Sequence, residues 1–314
     1  MKTLRIGKSA LTGSRLAYGC WRIAGSWNPA EVTSESLAAG KRAVRTAYET
    51  GYTVFDLADI YCQGRCEELF GEAVHEVGGM RERVIVATKC GIRRAGNPTA
   101  AAPQRWDFSG EYIVRACEES LRRMRLDTID LLMLHRPDYL AAPHEIAGAF
   151  LQLHDAGKVR CFGVSNFRPS LVSALQSACP LPLAVNQVEI SLVQRAAFED
   201  GTLDQCLERN LTPMAWSPLG GGLLGEGARE LLVWQQAYRP ADVVQVLDEI
   251  AHARGVSRAV IAYAWLLKHP SRIMPIVGST NPGRIRDAAK ADELELTREE
   301  WYRLLLAARG EPLP

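Results

Sequence analysis

Asp56, Tyr61, Lys89 and His135 each end, or closely follow, a short apolar run of the kind that forms a buried strand. Asp56 and Tyr61 stand in Val-Phe-Asp-Leu-Ala-Asp-Ile-Tyr, Lys89 ends Val-Ile-Val-Ala-Thr-Lys, and His135 ends Ile-Asp-Leu-Leu-Met-Leu-His. An ammonium at the end of a buried strand must find an anion or reach water, and Asp56 supplies the anion. Together the pair is expected to lower the pKa of a nearby phenol, making Tyr61 a general acid toward a developing alkoxide. His135, on the next strand end, can hydrogen-bond and orient the same carbonyl oxygen. A lone tyrosine in a loop is usually packing, and a histidine at a strand end often only caps it. One acid, one phenol, one amine and one imidazole at successive strand ends together point to a single reaction site.

The elements that must position these groups follow from period. Short runs rich in Val, Ile and Leu alternate with polar loops and amphipathic stretches of helical length, the pattern of parallel strands joined by crossover helices. The strands are expected at Leu16 to Cys20, Thr53 to Asp56, Val84 to Lys89, Ile129 to His135, Cys161 to Ser165, Leu183 to Val188, Pro213 to Trp216 and Ile273 to Val277. Helices are expected at Ser34 to Thr50, Glu67 to Val77, Gly110 to Met124, Pro143 to Ala156, Pro169 to Ser177, Ala196 to Arg209, Asp242 to His269 in two pieces broken near Gly255, and Pro282 to Ala289. Pro143, Pro169 and Pro282 suit a first helical turn, and Gly51, Gly157 and Gly255 suit helix ends.

Eight strand-helix units favour a closed (β/α)8 barrel of the α/β class over an open sheet, because closure removes the edges. With no linker or composition break, residues 1–314 read as a single domain. The opening Leu4 to Ile6 and Ser14 to Leu16 read as a hairpin covering the bottom of the barrel. Thr297 to Ala307, with Trp301, Leu304 and Leu305 at helical spacing, reads as an extra C-terminal helix on the exterior or over part of the pocket. Barrel chemistry sits at the carboxyl ends of the strands, so Ser165, Asn166, Gln187, Trp216, Ser217 and Gly278 to Thr280 join the candidates.

Composition excludes several other classes. The 37 basic residues against 36 acidic leave a net charge of +1, which gives no grip on nucleic acid or an anionic membrane. No run approaches the roughly 20 apolar residues of a spanning helix, and the N-terminal segment lacks an apolar signal core, so the default location is cytoplasmic. The eight cysteines mostly fall in or beside predicted elements and read as free thiols. Cys62 and Cys66, four apart with no second pair, do not read as a metal site.

Beyond these residue-level readings, the chain is similar to the aldo-keto reductase family. The resemblance rests on Phe-Asp-Leu-Ala-Asp-Ile-Tyr at 55 to 61, Thr-Lys at 88 and 89, Leu-His-Arg-Pro-Asp at 134 to 138, Gly-Val-Ser-Asn-Phe at 163 to 167, Asn-Gln at 186 and 187, Trp-Ser-Pro-Leu at 216 to 219 and Gly-Ser-Thr-Asn-Pro-Gly-Arg-Ile at 278 to 285, in the family's order. It runs from about Leu4 to Ala289. It implies a barrel that binds NADPH and passes hydride to a carbonyl, with Asp56, Tyr61, Lys89 and His135 as the tetrad and Tyr61 as proton donor. Ser165, Asn166 and Gln187 resemble the residues that hydrogen-bond the nicotinamide carboxamide, and Trp216 the aromatic that stacks on its ring. Ser217 and Leu219 would approach the pyrophosphate. Gly278, Ser279, Thr280 and Arg284 lie where free N–H groups and a guanidinium favour the 2′-phosphate of NADP over NAD. Two positions depart from many relatives: Gly278 stands in place of a lysine, and Asp287-Ala288 in place of a Glu-Asn pair, which weakens expectations for adenine recognition by Asp287.

Trp21, Trp27 and Trp106, in loops after strands, are candidates for the wall of an apolar substrate pocket. Arg22, Arg93 and Arg94 could hold an anionic group there, although surface arginines are commoner. Gly220 to Gly225 matches the letters of a dinucleotide G-x-G-x-x-G, but Pro218 intervenes and Glu226-Gly227 follow in place of a helix start, so a loop closing over the cofactor fits better. Two other functions remain open. The family includes potassium-channel β subunits, so an NADPH-binding regulatory module with little turnover is one alternative. A Schiff-base lyase using Lys89 is the other, and it would leave the nicotinamide-type strand ends unexplained.

Overall fold

In the computed structural model, which describes residues 1–226, 233–236 and 238–313, eight parallel strands close into a barrel in chain order. They are Ala17–Gly19, Val54–Asp56, Ile85–Cys90, Ile129–Leu134, Val159–Ser165, Leu183–Glu189, Thr212–Trp216 and Met274–Val277. The last closes on the first, Ile276 beside Ala17 and Val277 beside Tyr18. All eight expected strands are present, and their ends lie within two residues of expectation.

The helices form where their caps dictate. Ser34–Thr50 begins at Thr33, which exchanges side-chain and backbone bonds with Ser36, and ends at Gly51 with φ 100. Pro282–Ala289 has Asn281 accepting from the Arg284 N–H and proline in its first turn. The expected helix from Ala196 to Arg209 is instead two, Ala196–Glu199 and Thr202–Arg209, because Gly201 takes φ 82 between them. Pro240–Arg254 and Arg258–Leu267 are separated at Gly255, as expected. The terminal helix Arg298–Arg309 packs on the exterior: Trp301 stacks on Trp265 at 5.1 Å, and each indole N–H donates to the other's carbonyl.

Two apolar layers hold the barrel. Inside, Ala17, Val54, Ala87, Leu131, Met133, Val185, Met214 and Met274 fill the lumen. Outside, a larger core lies between strands and helices, where Phe150 stacks on Phe162 at 4.1 Å and Phe55 meets Phe70. Each such side chain contributes roughly 1.5–3 kcal/mol by leaving water.

The bottom is plugged by the hairpin of Thr3–Arg5 and Thr12–Ser14, which sends Leu4 and Ile6 into the lumen. Gly7 makes its approach feasible. It has φ 53, its N–H donates to Thr212 at 2.8 Å, and a Cβ there would lie 2.4 Å from the Ala184 carbonyl oxygen. Beside it, buried Asp130 holds Arg81 and Arg160 at 2.9 Å each and accepts from the Val86 N–H. All eight cysteines are unpaired and buried. No helix among the described residues is long and apolar enough to cross a membrane.

Candidate active site

Strand order alone brings the four candidate groups together at the top of the barrel. Asp56, Lys89 and His135 end or follow three adjacent strands, and Tyr61 rises from the loop after the first of them. Lys89 is fully buried. Its Nζ donates to Asp56 Oδ1 at 2.6 Å and to the Leu57 carbonyl at 2.7 Å. Gln187 donates to the same Asp56 oxygen at 2.7 Å, so one carboxylate organises groups from opposite sides of the lumen.

The loop that presents Tyr61 is unusual in its backbone. Cys62, Gln63 and Gly64 take φ 45, 56 and 88 in succession before the helix Arg65–Glu76 begins. Left-handed conformations at non-glycine residues cost free energy and cluster where a side chain must be aimed. The loop is tied back by Asp59, whose N–H donates to the Lys89 carbonyl at 3.0 Å. The Lys89 ammonium then lies over the Tyr61 ring, 5.1 Å from its centroid, and the His135 ring meets Tyr61 edge-on at 6.0 Å.

The electrostatics correct one expectation. The Tyr61 phenol is not lowered but raised well above its ordinary range, first by burial and then by the Asp56 charge. Among the described residues no hydrogen bond joins its hydroxyl to Lys89, so the ammonium does not offset the burial through a direct bond. Burial also lowers the Lys89 ammonium against the opposing pull of Asp56, and lowers the His135 imidazole well below its usual value, which keeps it neutral. The Lys89 amine is enclosed and doubly bonded, an arrangement ill suited to forming a Schiff base.

The cofactor candidates form a second connected set. Ser165 Oγ donates to the Gln187 carbonyl at 2.9 Å, and Asn166 Nδ2 donates to Ser165 Oγ at 2.7 Å and to the His135 carbonyl at 3.2 Å. The Trp216 indole N–H donates to Asn166 Oδ1 at 3.0 Å. Asn166 and Ser217, each immediately past a strand end, have φ 61 and 50. Leu219 and the three glycines after it form a tight turn in which Gly220 is buried and its carbonyl accepts from Gln235 at 2.9 Å. Among the described residues this turn is a single 3-10 turn and no α-helix starts from it, which does not match the strand-turn-helix context of the dinucleotide motif; Gly227 lies outside the described residues.

At the last strand, the Ser279 carbonyl accepts from Tyr18 at 3.0 Å, and no acceptor meets the backbone N–H groups of Gly278, Ser279 and Thr280 among the described residues. Free N–H groups before a helix start suit a phosphate. A Cβ at Gly278 would meet nothing within 4 Å, so the space beside it is open. Arg284 is exposed on the first turn, while Asp287 is held by Ser257 and Lys290. The donor set thus fits a dinucleotide along this rim.

Trp21 packs on Trp27 at 5.6 Å and Trp27 on Tyr61 at 6.1 Å, an aromatic line ending at the phenol. Trp106 stands apart from it, paired with Tyr139 at 5.6 Å. Arg93 is neither a surface group nor a pocket anchor: it is buried, ion-paired with Asp107 at 2.9 Å and stacked on Tyr112.

Sequence reasoning missed Arg136, Asp59 and Glu67. Arg136, in Leu-His-Arg-Pro, lies over the Trp216 ring at 5.3 Å. Glu67 is buried under the site, accepting from Thr88 and Arg123 at 2.6 Å each. The signal for Arg136 was its place next to His135; Glu67, on an amphipathic helix, gave none.

The Aldo/keto reductase family model matches residues 15–305. The chain belongs to the aldo-keto reductase family. It is 40% identical to a 6-dehydroglucose reductase of Novosphingobium aromaticivorans over 99% of this chain and 96% of that one. It is 38% identical to the oxidoreductase YdhF of Escherichia coli over 96% and 95%. Among solved structures it is similar to the glycerol dehydrogenase AKR11B4 of Gluconobacter oxydans, with TM-score 0.86 and 27% identity over 99% of this chain and 97% of that one. A thermostable aldo-keto reductase, Tm1743, in complex with epalrestat gives TM-score 0.82 and 26% identity over 98% and 100%. The chain is therefore an oxidoreductase of this family, whose members reduce carbonyl groups with a nicotinamide cofactor.

Proposed function

We propose that the chain reduces an aldehyde or ketone to an alcohol with NADPH, Tyr61 supplying the proton. The observation that carries this reading is the Tyr61 phenol set between the Lys89 ammonium and the neutral His135 ring at the ends of three adjacent strands. When bound, the nicotinamide supplies the hydride to the carbonyl carbon. Tyr61, its proton retained by burial, gives it to the carbonyl oxygen, and the phenolate left behind is stabilised by Lys89 until solvent reprotonates it. His135 donates a ring N–H to the same oxygen and orients it. Asp56 holds Lys89 in place.

In this reading Ser165, Asn166 and the amide oxygen of Gln187 bind the carboxamide, and Trp216 stacks on the ring. Ser217 and Leu219 line the pyrophosphate, Gly278, Ser279 and Thr280 cradle the adenosine phosphate, Arg284 reaches the 2′-phosphate, and Asp287 faces the adenine side. Trp21, Trp27 and Trp106 wall the substrate cleft. One domain, residues 1–314, carries the whole reaction, and its eight unpaired thiols accord with a reducing cytoplasm.

The test is NADPH oxidation against a panel of aldehydes and ketones, with Tyr61→Phe beside the unaltered chain. The variant should lose about 10²- to 10⁴-fold in turnover while NADPH binding stays within a few-fold. Near-full turnover in Tyr61→Phe would overturn the mechanism. Tight NADPH binding with no turnover on any carbonyl would favour the regulatory module instead.

A further inference from the structure

The loop that carries Tyr61 is fastened at both ends to the strand that carries Lys89. At its start, the Leu57 N–H donates to the Ala87 carbonyl at 2.8 Å and the Asp59 N–H to the Lys89 carbonyl at 3.0 Å, while the Lys89 ammonium donates back to the Leu57 carbonyl. At its end, the first turn of the helix Arg65–Glu76 brings Glu67 to the strand, where the Thr88 hydroxyl donates to Glu67 Oε1 at 2.6 Å. Ala87, Thr88 and Lys89 thus each hold one point of the segment. Between the two fastenings lie left-handed Cys62 and Gln63, a backbone that persists only where its surroundings over-determine it.

Glu67 is itself held. Its side chain is fully buried, and its second oxygen accepts from Arg123 Nε at 2.6 Å. Arg123 comes from the last turn of Gly110–Met124 and donates to Ser120 at 3.0 Å. Its stem runs against Gly64, where a Cβ would lie 2.5 Å from Arg123 Cδ. One arginine therefore backs the strained turn directly and, through Glu67, the strand end. A buried ion pair is a poor device for stability alone, because well-packed apolar side chains of similar volume commonly do as well or better. Apolar packing does not supply direction, whereas two carboxylate oxygens fix Thr88 and Arg123 at hydrogen-bond distances and angles.

We infer that Glu67, braced by Arg123 and bonded to Thr88, is a positioning residue for proton donation, setting the Tyr61 phenol against the Lys89 ammonium. This rests on the reductase reading above. The Lys89 ammonium meets the Tyr61 ring and not its hydroxyl, so the relation of the two groups depends on the elements that carry them. A displacement of about 1 Å between such groups is enough to slow a reaction roughly 100-fold.

The experiment is a double-mutant cycle read in single turnovers: oxidation of enzyme-bound NADPH on mixing with the fastest of propanal, benzaldehyde and acetone. Thr88→Val, which keeps the shape and deletes the hydroxyl, should slow that oxidation about 10-fold, and Glu67→Gln about 100-fold. NADPH dissociation constants should stay within about 3-fold, and Thr88→Ser should recover the rate to within about 3-fold of the unaltered chain. In the Tyr61→Phe background, Thr88→Val and Glu67→Gln should each cost less than about 3-fold more, because a residue acting through Tyr61 has nothing left to position. Equal losses with and without Tyr61 overturn the inference, since a merely structural role weakens both backgrounds alike. So does an unchanged rate in folded Thr88→Val, or a Thr88→Ser as slow as Thr88→Val; where Glu67→Gln does not fold, the two Thr88 variants decide. Each of those outcomes, with turnover of the unaltered chain still dependent on Tyr61, leaves the reductase reading intact. No Tyr61-dependent turnover on any of the three carbonyls overturns both.

Discussion

The two ends of the barrel treat charge in opposite ways. At the bottom, Asp130 is matched by two guanidiniums and a backbone N–H, and the hairpin seals the lumen. At the top, among the described residues, Arg136 makes no ion pair, His135 Nδ1 has no hydrogen-bond partner, and two carboxyls, Asp59 and Glu67, lie beside Arg123. Left-handed non-glycine backbone occurs at both ends but in different places: Cys62, Gln63, Asn166 and Ser217 follow strand ends at the top, whereas at the bottom Arg125 and Asn210 end helices and Arg272 precedes the last strand. The bottom is arranged for stability, and the top keeps groups whose partners arrive with ligands.

This contrast can be broken first at Asp130. Asp130→Ala leaves Arg81 and Arg160 facing a vacated buried site and should lower unfolding stability by about 3 kcal/mol, while turnover of the folded protein at 25 °C is preserved. Chemical denaturation beside initial-rate assays checks it; loss of turnover in folded protein would mean that the two ends are not separable.

The second test concerns Asp59, whose Oδ1 is enclosed without a partner and whose carboxyl is pushed up to about 8 by burial and by Glu67. Arg123 and Tyr112 oppose that rise, and Lys89 and Cys90 feel its charge from the adjacent strand. Below about pH 4 the group is neutral folded and unfolded, so it takes nothing from stability. Between about 4 and 8 the unfolded chain releases the proton and the folded chain keeps it, so stability falls by up to roughly 1.4 kcal/mol per pH unit, levelling above 8. Asp59→Asn should flatten that decline in unfolding curves taken across pH 5–8. An unchanged slope would show that Asp59 ionises normally and that the top is better compensated than the geometry indicates.

The smallest expected effect belongs to the edge of the top face. Arg284→Ala should weaken NADPH binding about 10-fold, the scale of one charge-assisted hydrogen bond, and NADH binding much less. Equal losses by titration would remove Arg284 from the 2′-phosphate.

Much of the architecture was written locally. Ser34–Thr50, Gly110–Met124 and Pro282–Ala289 start and stop where read from sequence, because a threonine cap, a left-handed glycine and a first-turn proline act within a few residues of themselves. The same local logic, missed at Gly201, divides the helix expected from 196 to 209. The site's members were also legible, since polar residues ending apolar runs are rare enough to stand out. Their relations were not. That Gln187 bonds Asp56 across 131 positions, that Lys89 faces the Tyr61 ring and not its hydroxyl, and that Arg93 is consumed by Asp107 depend on which groups the closed barrel brings within a few ångströms. The direction of the Tyr61 shift was misread for the same reason. Residue types and spacing determined which groups would meet at the top of a barrel; only the folded chain decided how much water each would lose, and desolvation depends on every neighbour at once.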